Sequence, residues 1–208
     1  MASDLFGENH IDALVALGVV RSYPKNTVVF QEGDTGDQLY VLLAGKLKVF
    51  LADDDGKEIV VDVLSPKQYF GEMALDGESR SASVMTVEPS KLSVIQREDL
   101  KRFLAANPDA AFALIVTLIR RARNLTRTIG NLALLDVYGR VARLLIDNAS
   151  DESGKLIVTE KMSQQEIAQR IGSSREMVSR ILSDLKEGGY VSIESGRMVI
   201  KQNLPKHW

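Results

Sequence analysis

The sequence contains no cysteine and only two histidines, His10 and His207, which lie near opposite ends of the chain. Without cysteine the chain cannot form disulfides, thiolate zinc sites or cysteine-ligated iron–sulfur clusters. Two distant histidines also argue against a metal or catalytic site built from imidazole groups. We therefore predict that the protein is not an enzyme, has no catalytic residue and binds no metal.

Long hydrophobic runs are missing as well. No stretch of about 18 apolar residues occurs, and the N-terminal residues do not form a charged and then apolar leader. We expect a cytoplasmic protein with no membrane contact. With 208 residues and 45% hydrophobic content, the chain can bury one large core or two modest ones.

Net charge is low, at −2, but its distribution is uneven. Residues 1–107 are acidic overall, whereas residues 108–135 carry four arginines and one acid. A neutral to basic C-terminal half permits a nucleic-acid-binding domain there without demanding one.

Residues 22–96 are predicted to form short strands. Apolar residues alternate or form short runs, and glycine-containing turns separate them, of which Asp55-Gly56 is a strong hairpin signal. Strands of this length and density predict an antiparallel barrel or jelly roll. A short helix is predicted before them, at residues 8–18.

The period of the pattern changes after residue 97. A short helix is predicted to end at Asn107-Pro108, and a long helix follows. Apolar residues starting at Ala111 recur in the long helix at alternating spacings of four and three, which is a heptad pattern. We predict a parallel dimer seam, although the same face could instead pack on the chain's own barrel. The predicted seam consists of Ile115, Leu118, Ala122, Leu125, Ile129 and Leu132.

The segment KMSQQEIAQRIGSSREMVSRILSDLKEGGY has the features of a helix-turn-helix. Ser163 with Glu166 predicts a capping box, and Ser173 with Glu176 predicts a second. Gly172 lies between them, where a tight turn between helices needs a positive φ angle. The predicted buried positions are the small residue Ala168 and the apolar stripe Ile167, Ile171, Val178, Ile181, Leu182 and Leu185.

The flanking elements fit a winged helix-turn-helix that binds DNA. A helix is predicted at residues 137–149, followed by a polar loop, SDESGK, and a strand, LIVT. Two strands around Ser195-Gly196 predict a hairpin wing. The alternative is a plain helical hairpin in a protein-interaction domain.

The start of the second helix of this motif is predicted to read base edges. Arginine can bond guanine O6 and N7, and glutamate can accept from cytosine N4, so we expect a G·C-rich half-site. Alternatively, Glu176 and Arg180 could form an ordinary surface ion pair. The predicted DNA-binding residues are Ser163, Gln164, Ser174, Arg175, Glu176, Ser179 and Arg180, and Ser183 shares their face.

The stretch YFGEMALDGESRSASV, residues 69–84, interrupts the strands with a fragment of helix. Backbone N–H groups after Gly71 can meet an anion, and Arg80 offers a fork of donors to a phosphate. Glu72 can accept from a ribose hydroxyl. Ser81 and the Ala82 N–H group can add donors. The alternative is a bulged loop in which Arg80 pairs with Glu72 or Asp76.

The order of barrel, long helix and winged helix-turn-helix resembles the cyclic AMP receptor protein/FNR superfamily of bacterial transcription regulators. The resemblance covers nearly the whole chain and is most specific in FGEMAL…RSASV, GNLALLDVYGRVARLL and SQQEIAQRIGSSREMVSRIL. It implies an α+β fold with a cyclic-nucleotide-binding barrel domain (1–107), a dimerisation helix (108–135) and a winged helix-turn-helix (136–208). It also implies a homodimer that binds an inverted-repeat operator in double-stranded DNA, with RNA polymerase as a further partner.

The resemblance makes residues 69–84 a phosphate-binding cassette and implies cyclic AMP as the ligand. In the cyclic AMP-responsive members, two adjacent hydroxyl residues on the central helix contact the purine, the second from the partner subunit. Those positions are Leu125 and Thr126 here, and Leu125 has no hydroxyl. The implied ligand-binding residues are Gly71, Glu72, Met73, Ala74, Arg80, Ser81, Ala82, Leu125 and Thr126.

Three alternatives remain from the sequence alone. The same architecture could respond to cyclic di-GMP or another cyclic nucleotide. It could also bind DNA without a ligand. In a different class of function, the chain would be a cyclic-nucleotide-binding regulatory module that acts on a partner protein.

Overall fold

Residues 8–152 and 154–204 are described by a computed structural model, which begins with the helix α1 (Glu8–Leu17). This helix was predicted at residues 8–18. His207 lies outside the described residues. The chain divides into two units, residues 1–124 and 125–208, and the division falls within one long helix.

Eight short strands follow α1. They are β1 (Val19–Tyr23), β2 (Val28–Phe30), β3 (Leu39–Ala44), β4 (Leu47–Ala52), β5 (Glu58–Leu64), β6 (Tyr69–Phe70), β7 (Ser83–Thr86) and β8 (Ser90–Ile95). They form two four-stranded antiparallel sheets with the orders β1-β8-β3-β6 and β2-β7-β4-β5. The predicted jelly roll is therefore confirmed.

The first four residues of strand β3 are all buried. Because successive side chains point to opposite faces of a strand, both faces of β3 are covered. Leu39 and Val41 pack with residues of the helices, whereas Tyr40 and Leu42 belong to the cluster between the two sheets. The helix side of this packing contains Ile11, Leu14, Leu100, Ala110 and Ala113. One strand thus joins the barrel interior to the helices that cover it.

Two helices follow the barrel, and the break between them lies at the predicted position, Asn107-Pro108. Helix α2 (Arg97–Ala106) ends with the Asn107 N–H group bonded to the Leu104 carbonyl, and α3 (Pro108–Leu134) begins at the proline. Proline suits the first helical position because it lacks an N–H group and has a fixed φ angle.

Among the described residues, neither α3 nor any other single helix is long and apolar enough to cross a membrane. Helices α2 and α3 meet a test of length and composition only when they are taken together, and they are bent by 115°.

The described residues of the second unit form the end of α3, three further helices and a four-stranded sheet of order β11-β12-β10-β9. The elements are α4 (Val137–Asp147), β9 (Ala149–Glu152), β10 (Lys155–Val158), α5 (Gln164–Ile171), α6 (Arg175–Glu187), β11 (Val191–Glu194) and β12 (Arg197–Ile200). The turn between β11 and β12 has φ angles of 50° at Ser195 and 75° at Gly196. These angles suit a tight hairpin turn, so the predicted wing is present.

The prediction for the start of this unit was wrong in two respects. Helix α4 ends at Asp147 rather than Ala149, and the supposed polar loop contains strand β9. This strand pairs with β10 through backbone hydrogen bonds, and three of its four residues are exposed. Its side chains therefore carry no apolar alternation from which a strand could be recognised.

Candidate ligand pocket and nucleic-acid interface

The cassette after β6 packs the backbone of Gly71 closely against Arg80. Gly71 has a φ angle of 83°, and a 3₁₀ helix follows at Glu72–Asp76. A Cβ atom at Gly71 would lie 2.8 Å from Arg80 Nη1 and 3.0 Å from the Gln38 carbonyl oxygen. Glycine is therefore required here both for its backbone angle and for the space that Arg80 occupies.

Arg80 is buried, with only 3% of its surface exposed. Its Nη1 donates to the Gly71 carbonyl at 2.8 Å and its Nη2 to the Gln38 carbonyl at 3.1 Å. Among the described residues no carboxylate pairs with it, so the alternative pairing with Glu72 or Asp76 is not formed. A buried cation whose charge is not neutralised by the protein favours an anionic ligand.

Aromatic rings hold the guanidinium of Arg80 from the barrel side. Its Cζ lies 4.3 Å from the centre of the Phe30 ring and 5.7 Å from that of Tyr40, within range for cation–π attraction. The rings of Tyr40 and Phe70 are stacked at 5.1 Å. Burial raises the pKa of Tyr40 despite the opposing charge of Arg80. The support from Phe30, Gln38 and Tyr40 was not predicted, because these residues lie about 40 to 50 positions from Arg80 along the chain.

Glu72 is joined to α3 by an ion pair that the sequence analysis also missed. Arg121 Nη1 donates to Glu72 Oε1 at 2.6 Å, and Nη2 donates to the Tyr69 carbonyl. Arg121 also lies over the Tyr69 ring, 4.8 Å from its centre. Burial alone would lower the pKa of Arg121, but the charge and hydrogen bond of Glu72 raise it overall. Arg121 therefore stays charged and fixes one oxygen of Glu72.

The remaining cassette residues lie at the surface. The Ser81 hydroxyl donates to Met73 Sδ at 3.1 Å, and both side chains are exposed. Ala82 is half-buried, and Ala74 lies within the 3₁₀ helix. Arg80 thus contacts Gly71 and Ser81 contacts Met73, whereas Glu72 pairs with Arg121. The role of these residues in ligand binding stays a prediction.

The helix-turn-helix begins with the predicted capping box. The Ser163 hydroxyl accepts from the Glu166 N–H group, and the Glu166 carboxylate accepts from the Ser163 N–H group. Gly172 ends α5 in the left-handed conformation, with φ 64°. The predicted stripe on α5 and α6 is buried, as is Ala168.

The second predicted capping box was wrong. Helix α6 is capped by Ser174, whose hydroxyl accepts from the Met177 N–H group at 3.2 Å. The Ser173 N–H group instead bonds to the Ala168 carbonyl and helps to close α5. Two adjacent serines made the two registers hard to separate in the sequence.

The outer face of α6 carries the predicted DNA-binding side chains. Arg175, Glu176, Ser179 and Arg180 are exposed, and with Gln164 and Ser183 they line one cleft. Within the described part of the chain, Glu176 and Arg180 do not form the alternative ion pair, and neither has another charged partner. These donors and acceptors are therefore available to base edges.

Two regions of the chain match known domain families. Residues 20–107 match the cyclic nucleotide-binding domain, and residues 139–204 match the Crp-like helix-turn-helix domain. A CRP-like cAMP-activated global transcriptional regulator of Mycobacterium tuberculosis is 33% identical over 186 residues, which cover 87% of this chain and 83% of the relative. The chain belongs to the CRP family.

Further members of the family are similar along nearly the whole chain. The cAMP-activated regulator Vfr of Pseudomonas aeruginosa is 31% identical over 92% of this chain and 93% of its own. The c-di-GMP-responsive global regulator CLP of Xanthomonas campestris is 29% identical, with a TM-score of 0.77 over 92% of this chain and 98% of that one. As a CRP-family member, the protein is a ligand-responsive transcription regulator, and its ligand is a cyclic nucleotide.

The CRP family is dimeric, so the exposed apolar side of α3 is a candidate dimer contact. Ala110, Ala113 and Thr117 form the buried face of α3 within its own unit. The predicted seam residues Ile115, Leu118, Ala122, Leu125, Ile129 and Leu132 are exposed in the single chain. For Ile115, Leu118 and Ala122, which belong to the same unit as the barrel, the alternative of packing on that barrel is therefore not what the fold shows. Phe112 and Ile119, which were not predicted, widen the exposed apolar stripe.

Leu125 and Thr126 complete the predicted ligand-binding residues. Both are exposed on α3, and both belong to the second unit of the chain. Their contact with a purine stays a prediction.

Proposed function

We propose that the protein is a homodimeric regulator whose affinity for an inverted-repeat operator is controlled by cyclic AMP bound in the barrel. The observation that supports this most directly is Arg80, a buried guanidinium held by two backbone carbonyls and without a carboxylate partner among the described residues. The domain boundaries that we assign are 1–107 for the barrel domain, 108–135 for the dimerisation helix and 136–208 for the DNA-binding domain.

Arg80 would bind the cyclic phosphate. A guanidinium has five N–H donors, and the Gly71 and Gln38 carbonyls use two of them. The rest can reach phosphate oxygens as charge-assisted bonds. Backbone N–H groups after Gly71 can donate to the same phosphate. Ser81 and the Ala82 N–H group supply further donors.

Glu72 would bind the ribose. Arg121 occupies Oε1, so the second carboxylate oxygen can accept from a ribose hydroxyl. Thr126 of the partner subunit would contact the purine, as in the cyclic AMP-responsive members. The ion pair between Glu72 and Arg121 joins the ribose position to α3, the helix that carries the proposed dimer seam.

The exposed stripe on α3 would pair with the same stripe of a second chain. The two copies of α6 would then enter successive major grooves, whose centres are separated by about 34 Å. Arg175, Glu176 and Arg180 would contact bases, whereas Ser163, Gln164, Ser174 and Ser179 would contact bases or phosphates at the edge of the site. We place this activity in the cytoplasm, where the operator DNA lies, and RNA polymerase would be the further partner.

Ligand binding would act on DNA by shifting an equilibrium between two arrangements of the subunits. A ligand changes such an equilibrium only if it binds one arrangement more tightly. Contacts of a nucleotide with both the cassette and α3 meet this requirement, because α3 is shared between pocket and seam.

Cyclic di-GMP is the second candidate ligand. The similarity to the c-di-GMP-responsive regulator CLP favours it, and so does Leu125, whose side chain cannot hydrogen-bond to an adenine edge.

Calorimetric titration with cyclic AMP tests the proposal. We expect saturable binding to the native protein and at least about 100-fold weaker binding to Arg80→Ala, since two or more charge-assisted hydrogen bonds are lost. Arg80→Lys keeps the charge but loses the fork and should be intermediate. Arg102→Ala is the matched control, because Arg102 is an exposed arginine of the same domain that pairs with Asp99. Equal binding by native protein and Arg80→Ala, with both folded by circular dichroism, would remove Arg80 from the site.

A further inference from the structure

A cavity lies beside Gly36, a residue that packs against Arg80. Its volume is about 270 Å³, and it is lined by Thr35, Gly36, Asp37, Gly77, Glu78 and Arg97. Three segments meet there: the loop before β3, the loop after the 3₁₀ helix and the first residue of α2. We refer to it as the Arg97 cavity. Drug-sized ligands usually occupy about 300–1,000 Å³, so the cavity suits a single base better than a whole nucleotide.

Arg97 is the notable side chain in this cavity. Its Nε atom is buried and has no hydrogen-bond partner, and the side chain forms no ion pair among the described residues. The other cations of α2 behave differently, because Lys101 pairs with Glu98 and Arg102 with Asp99. A buried donor without an acceptor costs about 1–3 kcal/mol. Arg97 also lines the cavity, so a ligand bound there can offer acceptors to its guanidinium.

The Arg97 cavity adjoins the seat of Arg80. Gly36 lines the cavity, and a Cβ atom there would lie 3.0 Å from Arg80 Nη2. The same loop holds the Arg80 backbone, because the Gly33 N–H group donates to the Arg80 carbonyl at 2.8 Å and the Arg80 N–H group to the Asp34 carbonyl at 2.9 Å. Gly36 is therefore a neighbour of both Arg80 and the cavity, and a ligand that reaches both has to pass this residue.

The polar groups of the cavity match guanine. A guanidinium can donate two hydrogen bonds to guanine O6 and N7. Carboxylates such as those of Asp37 and Glu78 accept hydrogen bonds, and guanine offers N1–H and N2–H donors on its Watson–Crick edge. Adenine presents an amino donor next to N7, so it cannot accept both bonds of the arginine fork.

We propose that the Arg97 cavity binds one guanine base of a cyclic dinucleotide whose phosphate is held by Arg80. Arg97 contacts the O6 and N7 edge, and Asp37 or Glu78 accepts from N1–H and N2–H. The inference rests on the proposed function in one respect, namely that Arg80 is the phosphate-binding residue. It adds a subsite that a cyclic mononucleotide bound in the barrel does not use.

Calorimetric titrations of the full-length protein with cyclic di-GMP, cyclic di-AMP and cyclic AMP test the inference. Arg97→Ala should bind cyclic di-GMP about 10- to 100-fold more weakly than the native protein, as expected for loss of a bidentate base contact. The double variant Asp37→Asn, Glu78→Gln should also weaken it. Arg102→Ala, on the same helix, should leave it unchanged, and cyclic AMP should bind Arg97→Ala and the native protein equally.

Three outcomes would overturn the inference: no binding of cyclic di-GMP to the native protein, equal binding of cyclic di-GMP to Arg97→Ala, or equal affinity for cyclic di-AMP. Failure of the proposed function gives a different result, because cyclic AMP would then bind the native protein and Arg80→Ala alike. Unchanged cyclic di-GMP affinity in Arg97→Ala therefore contradicts the inference, whereas unchanged cyclic AMP affinity in Arg80→Ala contradicts the proposed function.

Discussion

The arginines of the candidate ligand pocket and those of the recognition helix are held in opposite ways. Arg80 and Arg121 are fixed by backbone carbonyls, aromatic rings and, for Arg121, by Glu72. Arg175 and Arg180 on α6 are exposed and have no fixed partner among the described residues. A fixed arginine loses little entropy when it meets a small ligand of defined shape, whereas a mobile one can adapt to base edges. The comparison indicates a pre-organised pocket in one domain and an adaptable reading face in the other.

The largest expected effect is the loss of dimerisation, which should weaken DNA binding much more than nucleotide binding. Ile129→Asp places a charge on an exposed apolar residue of the proposed seam, so dimerisation should weaken at least about 1,000-fold, measured by analytical ultracentrifugation. DNA affinity should fall with it, whereas cyclic nucleotide affinity should fall much less. Leu134→Asp is the control, because Leu134 is 81% exposed, compared with 65% for Ile129, and lies outside the heptad. If Ile129→Asp remains a dimer, as Leu134→Asp is expected to, the proposed seam is refuted.

The reading face is tested by Arg180→Ala. If Arg180 makes a bidentate base contact, discrimination at one base pair of the operator should fall by about 1–3 kcal/mol, measured by competition with single-base variants of the DNA. Lys186→Ala, at the other end of α6, serves as the control. An equal loss of affinity on every sequence would assign Arg180 to a phosphate instead.

The pre-organised pocket is tested by Gly71→Ala. The added Cβ atom would contact Arg80 Nη1, so ligand affinity should fall about tenfold while DNA affinity without ligand stays the same. Gly56→Ala is a close control, because Gly56 also has a positive φ angle, 75°, but nothing lies within 4 Å of its added Cβ. If both variants lose ligand affinity equally, the effect is due to backbone strain and the contact with Arg80 is irrelevant.

A smaller effect is expected at the cap of the reading helix. Ser174→Ala should lower the free energy of unfolding by about 1 kcal/mol, because the Met177 N–H group loses its acceptor. Ser173→Ala should change it by less than about 0.5 kcal/mol, since its side chain is not the cap. Chemical denaturation of both variants measures the difference, and the reverse order would restore the cap that the sequence predicted.

The smallest effect concerns the wing. Hydrogen bonds from Lys201 and Lys155 lower the pKa of the exposed Glu194 carboxyl from 4.5 to about 2. A pKa lowered by folding stabilises the protein fully above pH 4.5, and this contribution is lost as the pH falls from 4.5 towards 2. Glu194→Gln should therefore show a slightly shallower loss of stability between these values in acid titrations at low salt. Identical slopes for the two proteins would show that the contacts add nothing in solution.

Much of this account could be predicted from local sequence. The capping box at Ser163, the turn at Gly172 and the break at Asn107-Pro108 depend on residues a few positions apart, so their chemistry is readable in order. The cassette was recognisable for the same reason, because Gly71 and Arg80 lie within one short stretch.

The parts of the candidate site that could not be predicted from the sequence depend on tertiary contacts. The carbonyl of Gln38 reaches Arg80 from 42 positions away, and Arg121 reaches Glu72 from 49 positions away. Nothing in the neighbourhood of either residue indicates its partner. In the sequence Arg121 is only one of four arginines in residues 108–135, and its contacts with Tyr69 and Glu72 show its role.

The central claim is that a cyclic nucleotide bound at Arg80 changes DNA binding by α6. Fluorescence anisotropy with labelled inverted-repeat DNA tests it most directly, with and without saturating cyclic AMP in one series and cyclic di-GMP in another. We predict that at least one nucleotide changes the DNA dissociation constant of the native protein by about 5- to 150-fold, and that Arg80→Lys reduces this change strongly. DNA affinity that stays the same with and without both nucleotides, in a protein that binds one of them, would contradict the account.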